Sequence, residues 1–166
     1  MVKNKAGLMV QVSSFGGVQY LFDVGYGVGK AGLDRLTADM AAELKPYNVH
    51  AVTLYPGAGV TEVTAFPGGE TPLFTGRAVA ALLNKATNED QARMSGKVVQ
   101  TAELAVDYGF TDVNGGMPEG DFSGAEAAKR CREVMSKPVI QYDMDAELPD
   151  HPRRTTPVSL DCLQAP

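Results

Sequence analysis

The chain has 166 residues, a net charge of −5 and a pI near 5.0, which argues against a nucleic-acid partner, because phosphate binding draws on clustered Lys and Arg. Its 44% hydrophobic content suits one globular domain with a buried core. No apolar run approaches the roughly 20 residues needed to cross a bilayer, and the start Met1-Val2-Lys3-Asn4-Lys5 has no apolar segment behind its charges, so the expected location is cytoplasmic.

In chain order, Gly-Leu-Met-Val-Gln-Val over Gly7–Val12 is a nearly continuous apolar run of the kind found in buried parallel strands. It ends at Ser13-Ser14, and Phe15-Gly16-Gly17 then allows a sharp turn or a close approach of backbone to a ligand. Over residues 25–44, Leu33, Leu36, Met40 and Leu44 recur at steps of three and four, which predicts a helix with those residues on its buried face. Pro46 disfavours helical geometry at Lys45 and stops it. A second strand follows over Val49–Tyr55 and closes on Pro56-Gly57.

Residues 58–75, rich in Gly, Pro and Thr, show no period and predict a loop or flap. Thr75 is placed to cap a helix running to about Lys85, with Val79, Leu82 and Leu83 as its buried stripe. A third strand is predicted over 96–103. Residues 125–136 predict a peripheral helix with Ala128, Cys131 and Met135 on one face. From Pro138 onward, prolines at 149, 152, 157 and 166 among charges predict a disordered tail. The division is then 1–116 as the folded domain, 117–137 as a peripheral segment and 138–166 as tail.

Three strands alternating with helices predict an α/β fold with a parallel sheet. Such a sheet is small, and one end strand would normally be covered by a neighbour. Cys131 and Cys162 have no CxxC spacing and no nearby histidine. His50 and His151 lie far apart with no carboxylate at ligand spacing, so no protein-bound metal is expected.

The chemistry centres on Tyr26 and Lys30, four apart at the start of the best helix and therefore on one face about one turn apart. An ammonium beside a phenol favours the phenolate, which makes such a tyrosine a usable proton donor and acceptor. The spacing alone is weak evidence. The context strengthens it, because Ser14, Tyr26-Lys30 and Pro56-Gly57 all fall at the carboxyl ends of strands, the edge where open α/β sheets bind ligands.

The order apolar strand, Ser-Ser-x-Gly-Gly, Tyr-x-x-x-Lys, strand, Pro-Gly, then Thr61 resembles the short-chain dehydrogenase/reductase family. The likeness runs through residues 12–30, 48–62 and 95–115. The phrases Tyr20-Leu21-Phe22, Tyr26-Gly27-Val28-Gly29-Lys30 and Asp107-Tyr108-Gly109 are most similar to its subgroup called dehydrogenase/reductase member one. The resemblance implies the carboxyl-terminal half of an incomplete Rossmann-like, doubly wound parallel sheet with flanking helices. It implies an oxidoreductase that uses NAD or NADP to reduce a small-molecule carbonyl or oxidise an alcohol. Tyr26 would be the general acid/base. Lys30 would tune it and bond the nicotinamide ribose, and Ser14, in preference to Ser13, would polarise the carbonyl. Pro56, Gly57 and Thr61 match the segment that lies against the nicotinamide end of the cofactor.

The sequence also departs from the family. Its Thr-Gly-x-x-x-Gly-x-Gly turn, its Asn-Asn-Ala-Gly segment and its catalytic asparagine would all lie before Met1, so the pyrophosphate has no cradle here. Gly59 stands where a branched aliphatic residue is common. Gly27, Gly29 and Gly32 match Gly-x-Gly-x-x-Gly, but the preceding strand ends a dozen residues earlier, so they read as close-packing glycines instead of a dinucleotide fingerprint. Val63, Phe66, Leu73 and Phe74 suit either an apolar substrate site or the core. The competing reading is a truncated, noncatalytic fragment or isoform acting at most through helix 25–44. In the resembling family that helix commonly packs against its symmetry mate, which implies a homo-oligomer.

Overall fold

A computed structural model of the chain describes residues 1–119 and 123–136. Three strands, β1 (Gly7–Val12), β2 (Val49–Tyr55) and β3 (Val98–Gln100), pair in parallel in the order β1-β2-β3. Every residue of β2 is buried, as its continuous run of apolar and β-branched residues requires of a central parallel strand. Alternation along β2 divides the interior into two layers. Val52 and Leu54 join Ala78, Leu82, Met94, Val99 and Leu104 in one apolar cluster, whereas Tyr55, one residue out of phase, reaches Asp34 on the first helix. Full burial of a Leu such as Leu54 or Leu82 is worth about 2–3 kcal/mol.

That helix, α1 (Val24–Leu44), starts where the Asp23 carboxylate accepts the Tyr26 amide at 2.8 Å, a side-chain cap that replaces a missing backbone partner. Its buried positions are Thr37 and Ala41, with Leu33, Met40 and Leu44 half-buried and Leu36 48% exposed. The expected Leu36 stripe is therefore displaced: small residues face the sheet and let the helix approach β2. Thr37 is tolerated there because its hydroxyl donates to the Leu33 carbonyl at 2.9 Å. Gly29 and Gly32 have no atom within 4 Å of where a Cβ would stand, so they serve no close packing among the described residues.

After β2 the structure departs more from expectation. Helix α2 (Pro72–Asn84) is capped four residues earlier than predicted: Thr71 is the cap and Pro72 opens the first turn. Asp112 accepts from the Thr71 amide at 2.9 Å and from its hydroxyl at 2.5 Å. The face of α2 turned inward carries Phe74, Ala78, Ala81 and Leu82, while Val79 is half-buried and Leu83 57% exposed. Helix α3 (Asn88–Met94), absent from the sequence reading, opens with a reciprocal Thr87–Asp90 capping box. The third strand is shorter than expected, and Thr101 starts α4 (Thr101–Tyr108), which ends at Gly109 with φ 63. Helix α5 (Gly124–Met135) buries Ala128 and Cys131 and half-buries Met135; it joins α4 through an Arg132–Glu103 ion pair.

The predicted tail 138–166, with His151 and Cys162, lies outside the described residues. His50 is buried, with Nε2 3.2 Å from Asn88 Oδ1. Among the described residues no helix is long and apolar enough to cross a membrane. No group of three or more His, Cys, Asp or Glu there could hold a metal ion.

Candidate active site

Strand β1 carries Ser13 and Ser14 out of its carboxyl end, and the Ser13 amide still donates to Leu54 O at 3.0 Å. Ser14 then caps a short 3-10 turn over Phe15–Gly17, its Oγ accepting from the Gly16 amide at 3.1 Å. Tyr26 stands in the first turn of α1, and its hydroxyl lies 2.7 Å from Ser14 Oγ. Gly16 permits this approach: a Cβ there would fall 2.5 Å from the Tyr26 ring. Phe22, held with φ 61, meets the same ring edge-on at a centroid distance of 4.9 Å. One turn further, Lys30 Nζ lies 5.5 Å from the centre of the Tyr26 ring, within cation–π range.

Ser13 and Ser14 have separate partners. Ser13 Oγ donates to the Lys30 carbonyl at 3.1 Å, while Ser14 faces the phenol. Behind them the Tyr55 hydroxyl donates to Asp34 Oδ2. Burial raises the Asp34 carboxyl above its ordinary range, against the bond from Tyr55, the nearby Ser13 hydroxyl and the charge of Lys30. Burial, then the bond and charge of Asp34, push the Tyr55 phenol far up, so Tyr55 stays a neutral donor. Asp34 Oδ1 is buried and has no hydrogen-bond partner among the described residues.

Ser14 and Tyr26 open onto a cavity of about 580 Å³ that Phe22, Pro56, Gly57 and Phe66 also line. Its far side is built from Thr101 at the start of α4 and from Ala127, Ala128, Cys131 and Val134 of α5. Burial pushes the Cys131 thiol up to about 11, which leaves it protonated and a poor nucleophile. Thr61 does not line this cavity. Its hydroxyl accepts from the Val63 and Thr64 amides at 3.1 Å each and closes a local turn. The apolar residues over 62–75 divide: Phe74, in α2, is fully buried in the core, Phe66 lines the cavity, and Val63 and Leu73 are exposed.

Several residues around the cavity escaped the sequence reading: Phe22, Asp34 with Tyr55, and Glu70. Asp34 carried a usable signal, since it follows Lys30 by four residues on the same helical face. Glu70 carried none, sitting in an aperiodic segment whose neighbours become visible only in three dimensions.

The sequence model described as short chain dehydrogenase matches residues 1–67. The human protein named Dehydrogenase/reductase SDR family member 1 is 39% identical over 135 residues, covering 69% of this chain and 42% of that protein. The chain thus spans less than half the length of the curated relatives it matches. Among solved structures, a 3-oxoacyl-[acyl-carrier protein] reductase from Brucella melitensis superimposes with a TM-score of 0.51 at 22% identity, over 60% of this chain and 42% of that one. A second structure of such a reductase from the same organism, with bound NAD, gives 0.50 at 23% identity, over 60% and 41%. At those identities the likeness is one of fold. Taken with the sequence match and the parallel α/β sheet, the chain belongs to the short-chain dehydrogenase/reductase family.

Proposed function

We propose that this segment supplies the proton-transfer groups and the nicotinamide-side wall of an NAD- or NADP-dependent oxidoreductase acting on a small carbonyl compound or alcohol. The observation that carries the reading is the 2.7 Å pairing of Ser14 Oγ with Tyr26 OH at the wall of the 580 Å³ cavity. The residues present fit the nicotinamide end of such a cofactor. Pro56 and Gly57 line the same space as the hydroxyl pair, and the Lys30 ammonium lies beside the Tyr26 ring. Tyr26, Lys30, Pro56 and Gly57 would hold that end. Thr61 would act only indirectly, through the turn it closes.

When bound, the cofactor supplies or accepts the hydride. The chain's own groups handle the proton. The Ser14 hydroxyl donates a hydrogen bond to the substrate oxygen as negative charge develops there. The Tyr26 hydroxyl delivers its proton to that oxygen in reduction and takes one in oxidation. Lys30, whose ammonium lies over the Tyr26 ring, would bond the ribose beside the nicotinamide.

A titration of the purified chain with NADH or NADPH, read by cofactor fluorescence, tests the reading. Saturable binding is expected. A flat response to both nucleotides would retire it for this polypeptide and leave the noncatalytic alternative.

A specific observation also supports association through α1. Val24, Val28, Gly32 and Leu36 recur every fourth residue along its outer face, with Val24 73% and Val28 68% exposed. An apolar stripe of that kind suits a second copy of the chain. Sedimentation equilibrium should then give a mass above the monomer, and a monomer at high concentration would remove this reading.

A further inference from the structure

Behind the wall of the cavity opposite the hydroxyl pair lies a carboxyl that the proton-transfer reading leaves unused. Glu70 is 1% exposed and immediately precedes the Thr71 cap of α2. Its main chain grips the segment that follows Pro56: the Glu70 amide donates to Ala58 O at 2.9 Å, and the Val60 amide donates to Glu70 O at 2.8 Å. Its side chain continues the grip inward. The Thr101 hydroxyl lies 2.8 Å from Oε2 and 3.2 Å from Oε1, and the Gly57 amide is near enough to favour the ionised carboxylate. Gly57, Ala58, Gly59 and Thr101 all line the cavity. From its other side, Ser123 Oγ donates to Ala58 O at 3.0 Å.

A buried carboxyl is expensive unless donors or a cation satisfy it. No salt bridge reaches Glu70 among the described residues, so the Thr101 hydroxyl on the cavity wall is what satisfies its carboxylate, with the Gly57 amide nearby. The Thr101 hydroxyl would in turn lose this acceptor if Glu70 were replaced by an apolar residue.

We propose that Glu70 is the positioning residue of this wall: by its main-chain bonds to Ala58 and Val60 and by accepting from Thr101 beside the Gly57 amide, it sets the place of segment 57–60, and with it the affinity for the nicotinamide end of a cofactor. The second half of the proposal rests on the oxidoreductase reading above; the first does not. Burial pushes the Glu70 carboxyl up to about 7, against the bond from Thr101 and the nearby Gly57 amide, and the Asp112 charge adds to the rise. Asp112 faces it from the loop after α4, bound to the intervening Thr71. Segment 57–60 and Thr101 present no ionisable side chain. When ionised, Glu70 accepts from Thr101 and attracts the Gly57 amide. When protonated, one oxygen carries a hydrogen and the grip loosens, so the wall is held tightest above neutral pH.

The test follows the backbone amides of residues 57–60 by heteronuclear NMR across pH 5.5–8.5 in the wild-type chain and in Glu70→Gln. The Gly57 resonance should move with a midpoint near neutral pH in the wild type and hold still in the variant. If the amide titrates equally in both, Glu70 does not position the wall. Thr101→Val provides a second variant: it removes a bond that favours the ionised form, so the midpoint should rise. An unchanged midpoint there overturns the proposal as well. NADH and NADPH affinity, measured in parallel by fluorescence, should strengthen several-fold from pH 6 to pH 8 in the wild type and stay level in Glu70→Gln. Should neither nucleotide bind while the Gly57 titration is present and abolished by Glu70→Gln, the oxidoreductase reading falls and the wall-positioning role stands.

Discussion

The two walls of the cavity are held by different forces. On one side, Ser14 leaves the end of a paired strand and Tyr26 and Lys30 project from a 21-residue helix. Their spacing is set by regular backbone geometry and by a carboxylate cap. On the other side, segment 57–70 has only two isolated bridges, Gly59–Glu70 and Val60–Ala65. Its place depends on the Glu70 carboxyl and on Ser123. The comparison teaches a division of labour: groups that must meet within hydrogen-bond distance ride on stiff elements, and the surface facing a bound molecule hangs on a titratable anchor.

The largest effect should come from the stiff wall. In a polypeptide that carries this segment and turns over a carbonyl substrate, Tyr26→Phe should lower kcat by about a thousandfold, roughly 4 kcal/mol of barrier. Substrate affinity should change little, because the ring and its contact with Phe22 remain. An undiminished rate would remove the phenol from the mechanism and with it the distinction between the walls.

A smaller effect should come from the anchored wall and concerns stability. The folded chain binds the Glu70 proton up to about pH 7, whereas the unfolded chain releases it near the ordinary value of 4.5. The folded state therefore holds more protons between those limits. Stability from this group is full below pH 4.5 and is lost as pH rises through 7, by on the order of 3 kcal/mol. Urea denaturation at pH 5 and pH 8 should show that loss in the wild type and a shallower one in Glu70→Gln. Equal slopes in the two proteins would mean that Glu70 is not the buried titrating group, and the walls would then differ less than their geometry suggests.

The same contrast explains what the sequence disclosed. The bounds of β1, α1 and β2 were legible to within a residue, because their signals are local: an apolar run, a helix period and Pro46. Beyond Tyr55 the determinants are distant. The start of α2 depends on Asp112, 41 residues from Thr71, so Thr75 looked as suitable a cap. Residues 96–103 read as one strand, but Tyr55 pairs with Gln100 and ends β2. Thr101 then has no ladder partner and the chain turns into a helix. Helix α3 was announced by Thr87 and Asp90, a capping box that the reading passed over. Leu36 misled because α1 is apolar on two faces, and periodicity alone does not say which one meets the sheet.

At the candidate site, Ser14, Tyr26 and Lys30 were legible from the serine pair and the four-residue step, and Pro56 and Gly57 from their place at the end of β2. Thr61 was named by pattern and lies off the cavity, since its hydroxyl is spent on the Val63 and Thr64 amides. The Asp34–Tyr55 bond and the Glu70 anchor join segments 21 and 31 residues apart, and no window of sequence contains both ends of either.

The close fit of Gly16 against the Tyr26 ring has a consequence for anyone mining variants of this chain. Position 16 bears no hydroxyl, amine or carboxyl, yet even a methyl group there would lever the phenol off Ser14. A catalogue of damaging alleles drawn up from reactive side chains alone would pass over a residue whose whole contribution is the space it leaves empty.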